Sequence, residues 1–309
     1  MPQSELKKFI QDTAQKLGFT HIGFSAASVD EIKSKQLKQW LDNGYHASMQ
    51  WMENRIMERS NIFKYYPNAK TIISTSMNYF TGNANNNENI GKISNYAWGD
   101  DYHKIIKSKL FQLLRKIQTK EPAINGLACV DTSPIMEKSW AQKSGIGWIG
   151  KHTNLITKSH GSWVFLGEII LDVELKPDQE FIEDLCGTCT ACLDACPTNA
   201  FPQPYVLDST KCISYHTIEH RGKFNDDIEL SNWIYGCDIC QEVCPWNIKF
   251  ANKTTENSFK PRKELIDKNL NDWELLTEKE FKNIFKNSPI KRTKFQGLKR
   301  NISTANQTN

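Results

Sequence analysis

The 309-residue chain has no uncharged apolar run of the ~18 residues that a membrane span requires. It opens MPQSELKK, with neither an apolar h-region nor twin arginines, so no export signal is expected and a cytoplasmic location is. It also lacks a dominant sign of charge. With 39 Lys+Arg against 35 Asp+Glu, the net +4 permits a nucleic-acid partner without arguing for one. No G-x-G-x-x-G follows a predicted strand, so a Rossmann nicotinamide or flavin site is not indicated. The Gly-rich stretch 145–151 reads instead as a tight loop where a flat ligand or another backbone approaches. A disulfide scaffold is excluded too, because it belongs to short secreted chains.

The chain does have clustered cysteine. Eight of its nine Cys lie between Cys186 and Cys244, and the ninth, Cys129, sits alone in the apolar run Gly126-Leu127-Ala128-Cys129-Val130. Cys129 reads as a small buried hydrophobe. The eight read as metal ligands.

Ahead of them the periodicity predicts an α/β domain over 1–175. Helices are expected at 4–17 (capped by Ser4, ended by Gly18), at 30–42 with Ile32, Leu37, Trp40 and Leu41 inward, and at 102–117. Strands are expected at 19–24, 71–77, 127–130 and 163–173, with a polar loop at 82–89. From 176 to 250 the elements are short, as expected of a ferredoxin-like domain carrying two clusters. Residues 251–309 form a Lys-rich segment expected to pack on the core.

Cys186, Cys189, Cys192 and Cys196, followed by Pro197, reproduce the bacterial ferredoxin spacing C-x2-C-x2-C-x3-C-P. Three closely spaced thiolates reach three corners of one cubane, and the fourth points to another. Cys237, Cys240 and Cys244, followed by Pro245, nearly repeat the pattern, with Cys212 displaced upstream. Crossing the fourth ligands gives Cys186, Cys189, Cys192 and Cys244 for one 4Fe–4S cluster. It gives Cys196, Cys212, Cys237 and Cys240 for the other. Structural zinc would pair two C-x2-C hooks and fits this pattern poorly. Two adjacent clusters make a short electron wire, and a mere carrier would not need 175 residues before it.

Several segments together resemble the epoxyqueuosine reductases over nearly the whole chain. They are 93–103 (ISNYAWGDDYH), 130–138 (VDTSPIMEK), 145–154 (GIGWIGKHTN), 161–168 (GSWVFLGE), 212–219 (CISYHTIE) and 235–247 (YGCDICQEVCPWN). The resemblance implies a cobalamin-dependent oxidoreductase of tRNA modification that reduces epoxyqueuosine to queuosine at the wobble base. Cobalamin would sit between the α/β and cluster domains, bound without the D-x-H-x-x-G motif, which is absent here. A low-potential donor such as ferredoxin or flavodoxin is implied, and a monomer is expected. Asn95 and Asp100 stand where the family pattern is often basic, and the helical-repeat extension of some relatives is not present.

Breaking an epoxide C–O bond leaves an alkoxide that needs a nearby acid, and Asp131, just past the strand 127–130, fits that role. An ordinary Asp has a pKa near 3.9, so donation at pH 7 requires burial against an apolar face. The competing reading makes Asp131 the N-cap of a helix over 134–143. By resemblance, Arg55, Tyr96, Ala97, Tyr102, His103, Thr153, Asn154, Ser214 and Asp238 join Asp131 as cofactor contacts; Tyr102 and His103 could instead merely open a helix. Arg55 and Arg59 could also face phosphates. His216 and His220 read as one helix face near a cluster and not as a metal site. Residues 281–300 carry seven Lys or Arg and no acid. Lys291, Arg292, Lys294 and Arg300, with Arg221, are the expected tRNA grip, against the alternative of a solvated, disordered tail. Two other functions compete: a reductive dehalogenase-like corrinoid enzyme and a ferredoxin-type carrier.

Overall fold

The structure, a computed structural model, describes residues 1–82, 89–224, 228–265 and 268–307. The polar loop expected at 82–89 therefore lies outside the described residues over 83–88. The frame is a four-stranded sheet of β1 (His21–Ala26), β2 (Thr71–Asn78), β3 (Gly126–Cys129) and β4 (Val164–Leu171), in spatial order β1-β2-β4-β3. Five helices matter to the site: α1 (Gln3–Lys16), α2 (Tyr102–Lys120), α3 (Glu137–Lys143), α4 (Ile213–Ile218) and α5 (Lys294–Gln307).

The sheet is covered on both faces, and the period of two sorts its side chains. Ile73, Ile169 and Leu171 face α1 and α2, meeting Leu6, Ile10, Ile106, Leu110 and Leu113. Ile72, Ile170 and Cys129 face the other way, onto Ile62, Ile135 and Trp140. Cys129 is fully buried, and burial pushes its thiol up to about 12. Every residue of β2 is buried, the polar Thr71, Ser74, Thr75, Ser76 and Asn78 along with Ile72, Ile73 and Met77.

Every neighbouring pair in the sheet is antiparallel. The fold is thus mixed α and β, and the crevice rule for parallel α/β sheets does not apply to it. Asp131 is placed at one end of an antiparallel sheet, where β2 and β3 finish and β4 begins. Local corrections follow the same logic. Pro2, not Ser4, precedes α1 and offers no side-chain cap. The helix after Asp30 is capped by that residue, which accepts from the Lys33 N–H at 2.9 Å, but Ile32, expected inward, is 70% exposed. Gly145, Gly147 and Gly150 do carry G-x-G-x-x-G spacing, yet they follow helix α3. A Cβ on Gly147 would sit 2.0 Å from the Ile156 carbonyl oxygen, so the glycine is required by an adjacent backbone.

The basic C-terminal segment is ordered by an apolar core of its own. Phe281, Phe285, Ile290, Leu298 and Ile302 are buried against Ile213, Trp233 and Tyr235, which overturns the reading of 281–300 as a disordered tail. Arg300 fastens α5. Its guanidinium donates to the carbonyls of His216 (3.0 Å), His220 (3.2 Å) and Gly222 (2.8 Å) and stacks on Phe224 at 4.0 Å. Arg300→Ala is therefore expected to lower stability by about 2 kcal/mol, since hydrogen bonds from charged groups contribute about 1.5–3 kcal/mol. Urea unfolding at fixed cluster content measures it, and an unchanged midpoint would show that the clamp contributes nothing.

Candidate active site

An open cavity of ≈390 Å³ lies where the sheet end meets the two cysteine loops. Tyr79 follows β2, Asp131 follows β3, and Val164, Phe165 and Leu166 open β4. Opposite them are Ser214 at the start of α4 and the segment 237–241.

Asp131 is held at the cavity by His103. The imidazole bridges two carboxylates, with Nε2 at 2.9 Å from Asp131 and Nδ1 at 2.8 Å from Asp101. Asp101 also caps α2 by accepting the His103 N–H, so the helix start fixes the ring. Tyr102 stacks on Phe165 with centroids 4.1 Å apart and on His103 at 4.0 Å.

Electrostatics correct the sequence expectation. The Asp131 side chain is 50% exposed, and the opening is onto the cavity. Burial by the surrounding protein would raise its carboxyl, but the His103 imidazole, and then the charge of Arg292, hold it below the ordinary carboxylate value. Burial would also depress His103, but its bonds to Asp101 and Asp131 outweigh this and lift it to about 9. The mobile proton at neutral pH therefore sits on the imidazole, with Asp131 as its ionised partner. Nor does Asp131 cap a helix: α3 starts at Glu137, behind Met136, without a side-chain cap. Instead the Asp131 N–H donates to the Glu137 carboxylate.

Glu137 and Lys138 line the cavity beside Asp131. Burial, then the Asp131 charge, raises Glu137 to about 8. The Lys138 ammonium donates to the Thr153 carbonyl at 2.9 Å. His152 is buried in the wall; its Nδ1 accepts the Asn154 N–H at 3.2 Å while its Nε2 has no partner. The VDTSPIMEK segment held Glu137 and Lys138 in plain view, but nothing in spacing separated them from solvated helix residues. His152 stood likewise in the GIGWIGKHTN segment, with no spacing to mark it.

Of the expected cofactor contacts, Tyr96, Tyr102, Asp131, Thr153, Asn154, Ser214 and Asp238 line the cavity, and His103 reaches it through Asp131. The Asp238 carboxylate is fully engaged, by the Ser94 hydroxyl at 2.5 Å and the Asn95 N–H at 2.6 Å. Two expected contacts are elsewhere. Ala97 is fully buried in the apolar core around Trp233. Arg55 is exposed and paired with Glu58 at 2.7 Å, because it sits on the outer side of its short helix. Arg59, one turn on, is the residue whose charge reaches Asp131 and Glu137. Asp100 pairs with Arg262 at 2.6 Å, which accounts for an acid there.

The eight thiols fall into two neighbourhoods. Cys192 faces Cys244, Cys186 and Cys189, while Cys240 faces Cys212 and Cys196, and Cys237 faces Cys240 and Cys212. Cys240 also faces Cys192, so the neighbourhoods adjoin. Among the described residues, no three His, Cys, Asp or Glu side chains close on a point as one ion requires. A cubane holds its thiolates further apart than a single ion does. Cys196, Cys212, Cys237 and Cys240 all border the cavity, whereas the other set lies beyond it, near Trp148, whose Nε1 donates to Cys186 Sγ at 3.5 Å. His216 and His220 stand with rings 6.0 Å apart, and each ring is engaged by a backbone carbonyl.

The basic residues of the expected tRNA grip divide. Lys291, Arg292 and Lys294 are exposed. Arg292 pairs with Glu219 at 2.8 Å. Arg221 donates to the carbonyls of Ile218, His220 and Arg292, so like Arg300 it is engaged within the chain.

Comparison with known proteins agrees with this geometry. Residues 185–247 match the family described as 4Fe-4S double cluster binding domain, and 59–132 match Epoxyqueuosine reductase QueG, DUF1730. An epoxyqueuosine reductase of Cellulophaga algicola is 44% identical over 295 residues, covering 95% of each chain. That of Escherichia coli is 38% identical over 309 residues, covering 98% of this chain and 81% of its own. Among solved structures, an epoxyqueuosine reductase with a tRNA-Tyr epoxyqueuosine-modified tRNA stem loop superposes with TM-score 0.89 at 29% identity, covering 98% of this chain and 81% of that one. The Streptococcus thermophilus enzyme superposes at 0.85 with 31% identity, covering 97% and 80%. Near-full-length identity at this level, on a fold with the cysteine loops at its cavity, makes the chain a member of the epoxyqueuosine reductase family.

Proposed function

We propose that this protein reduces epoxyqueuosine to queuosine in the anticodon loop of tRNA, with two 4Fe–4S clusters and a cobalamin in the cavity. The observation that carries the reading is convergence: the His103–Asp131 pair and all four cysteines of the second set open onto one cavity.

The wall suits a flat macrocycle fringed by amides. Leu155, Val164, Leu166 and Tyr96 give apolar faces, and Asn154, Ser214 and the unpartnered Nε2 of His152 give polar edges. Thr153 and Asn154 turn out of a tight loop, with Thr153 at a φ of +66°. A bound cobalamin would supply a cobalt centre able to store electrons that arrive singly and to act on carbon. Cys186, Cys189, Cys192 and Cys244 would hold the outer cluster, facing a low-potential donor. Cys196, Cys212, Cys237 and Cys240 would hold the inner one. His103, kept cationic by Asp101 and Asp131, holds a proton beside the Asp131 oxygen that faces the cavity. Asp131 passes it to the oxygen released from the epoxide, and Asp101 keeps the ring from turning away. Tyr102, stacked on Phe165 and His103, keeps that corner free of water.

The direct test is anaerobic conversion of an epoxyqueuosine stem-loop, with a viologen as donor, by protein reconstituted with iron, sulfide and cobalamin. Loss of one oxygen from the base, read by mass spectrometry, is expected. No conversion by protein shown to hold both clusters and the corrinoid would overturn the reading.

The anticodon loop presents splayed bases, so the grip must be on phosphates. Lys291, Arg292 and Lys294 are exposed close together, and the charge of Arg292 reaches Asp131 at the cavity, which supports this turn as the grip. Arg221 and Arg300 instead hold the C-terminal segment. Neutralising Lys291 and Lys294 together should flatten the salt dependence of stem-loop binding by about 0.7–0.9 in log–log slope per lost contact. An unaltered slope would move the grip elsewhere.

A further inference from the structure

We propose that Glu137 is a second proton donor of this reaction, fixed beside Asp131 at the cavity wall and backed by the buried acid Glu168. The inference rests on the epoxide-reducing reading above. Converting an oxirane to an alkene breaks both C–O bonds, takes up two electrons and two protons, and releases water. The electrons come from the low-potential donor through the clusters. The alkoxide takes the first proton and the departing hydroxyl the second. The His103–Asp131 pair holds one such proton, so the second needs another source at the same wall.

Glu137 stands at that wall. It lines the cavity, and its carboxylate accepts the Asp131 N–H, so the two acids are fixed to each other by one backbone link. The Lys138 ammonium beside it is turned to the Thr153 carbonyl. Beneath, on β4, Glu168 sits opposite Cys129 of β3 and Ser74 of β2. It is 0% exposed, and neither of its carboxylate oxygens has a hydrogen-bond partner. An ionised carboxylate without donors is not stable in an interior, whereas a neutral acid is tolerated. The charge that faces Glu168 is that of Glu137. Two such acids do not both ionise near neutrality, and their protons leave in steps that belong to the pair. The other groups facing Glu137 are Asp131, Lys138, His103 and Tyr102, Arg59 from the helix Ile56–Ser60, and Cys129 from the sheet. The cations Lys138 and His103 pull its carboxyl down, but burial and Asp131 prevail and leave it near 8. Glu168 is held well above the carboxylate range by burial and by Glu137.

The experiment uses the reconstituted holoenzyme and the stem-loop substrate. In wild type, log(kcat/KM) should fall with unit slope above about pH 8 and more steeply above about 9. Glu137→Gln should lower the rate ~10²–10⁴-fold, the range of a general acid, and remove the lower inflection. Glu137→Asp, which keeps an acid, should restore part of the rate. Glu168→Gln should retain iron content and fold and leave the lower inflection in place, because the neutral acid it replaces carries no charge while Glu137 titrates. In substrate-free protein at pH 7, infrared difference spectra should show two protonated-carboxyl bands, one lost in each Gln variant. Wild-type rate and pH profile in Glu137→Gln, or absence of both bands, would overturn the proposal. If wild type itself converts no epoxide, the functional reading fails instead, while the infrared result still reports where the protons are.

Discussion

Asp131→Asn is expected to lower turnover of the epoxyqueuosine stem-loop by ~10²–10⁴-fold while leaving iron content and cobalamin binding unchanged. Asn matches the shape of Asp and can still accept from His103, so the corner of the cavity should stay packed. What it removes is the charge that, with Asp101, lifts His103 to about 9. The imidazolium then loses one of its two anionic neighbours, and its pKa falls. The sign follows directly. Donation needs the protonated ring, so the steeper loss of wild-type activity sets in above about pH 9, and in the variant that upper limb moves to lower pH. His103→Gln should instead lose the upper limb altogether, since no titrating proton remains on that side chain. A capping or packing role for Asp131 predicts near-wild-type turnover and an unmoved limb, so rate and profile together decide between them.

Cys212→Ala is expected to abolish turnover and reduce the metal content from about eight to about four iron per chain, with acid-labile sulfide falling in step. Cys212 borders the cavity with Cys196, Cys237 and Cys240, so the cluster lost is the one through which electrons would reach the substrate. Cys244→Ala should remove the outer cluster instead and leave the inner one reducible by a small diffusible donor. Cys129→Ala is the control. Its thiol is buried among Ile62, Ile72 and Trp140, away from both cysteine loops, and its removal should spare both clusters. About four iron in the unaltered protein, or stoichiometric zinc, would sink the two-cluster assignment. Unchanged iron in Cys212→Ala would show that the displaced fourth ligand is misplaced.

Much of the fold was legible because it is local. The β-branched stretch of β2 around Ile72, Ile73 and Thr75 reads as a buried strand, and in α2 the periodic stripe of Ile106, Leu110, Leu113 and Ile117 reads as one helix face. Antiparallel pairing was not legible, since strand direction is set by how the intervening helices return the chain and leaves no mark on the strands. The position of Asp131 just past β3 was legible all the same, because it follows from the strand's own boundary.

The sequence by itself determined the cysteine pattern and the family. Ligand spacing along a loop is a property of covalent distance, and a pattern of eight thiols with two Cys-Pro ends has few other uses. Only the tertiary structure decided which groups surround Asp131. His103 and Asp131 are 28 residues apart and Asp101 is on the other side of the ring, so no window of sequence shows that the imidazole is held between two carboxylates. The same holds for the arginines. Arg55 and Arg59 look alike in sequence, as do Arg292 and Arg300, but the orientation of a short helix leaves Arg55 outside and turns Arg59 towards the site, and Arg300 is committed to three backbone carbonyls. A charge acts through space, falling with distance and rising with burial, and both quantities exist only after the chain has folded.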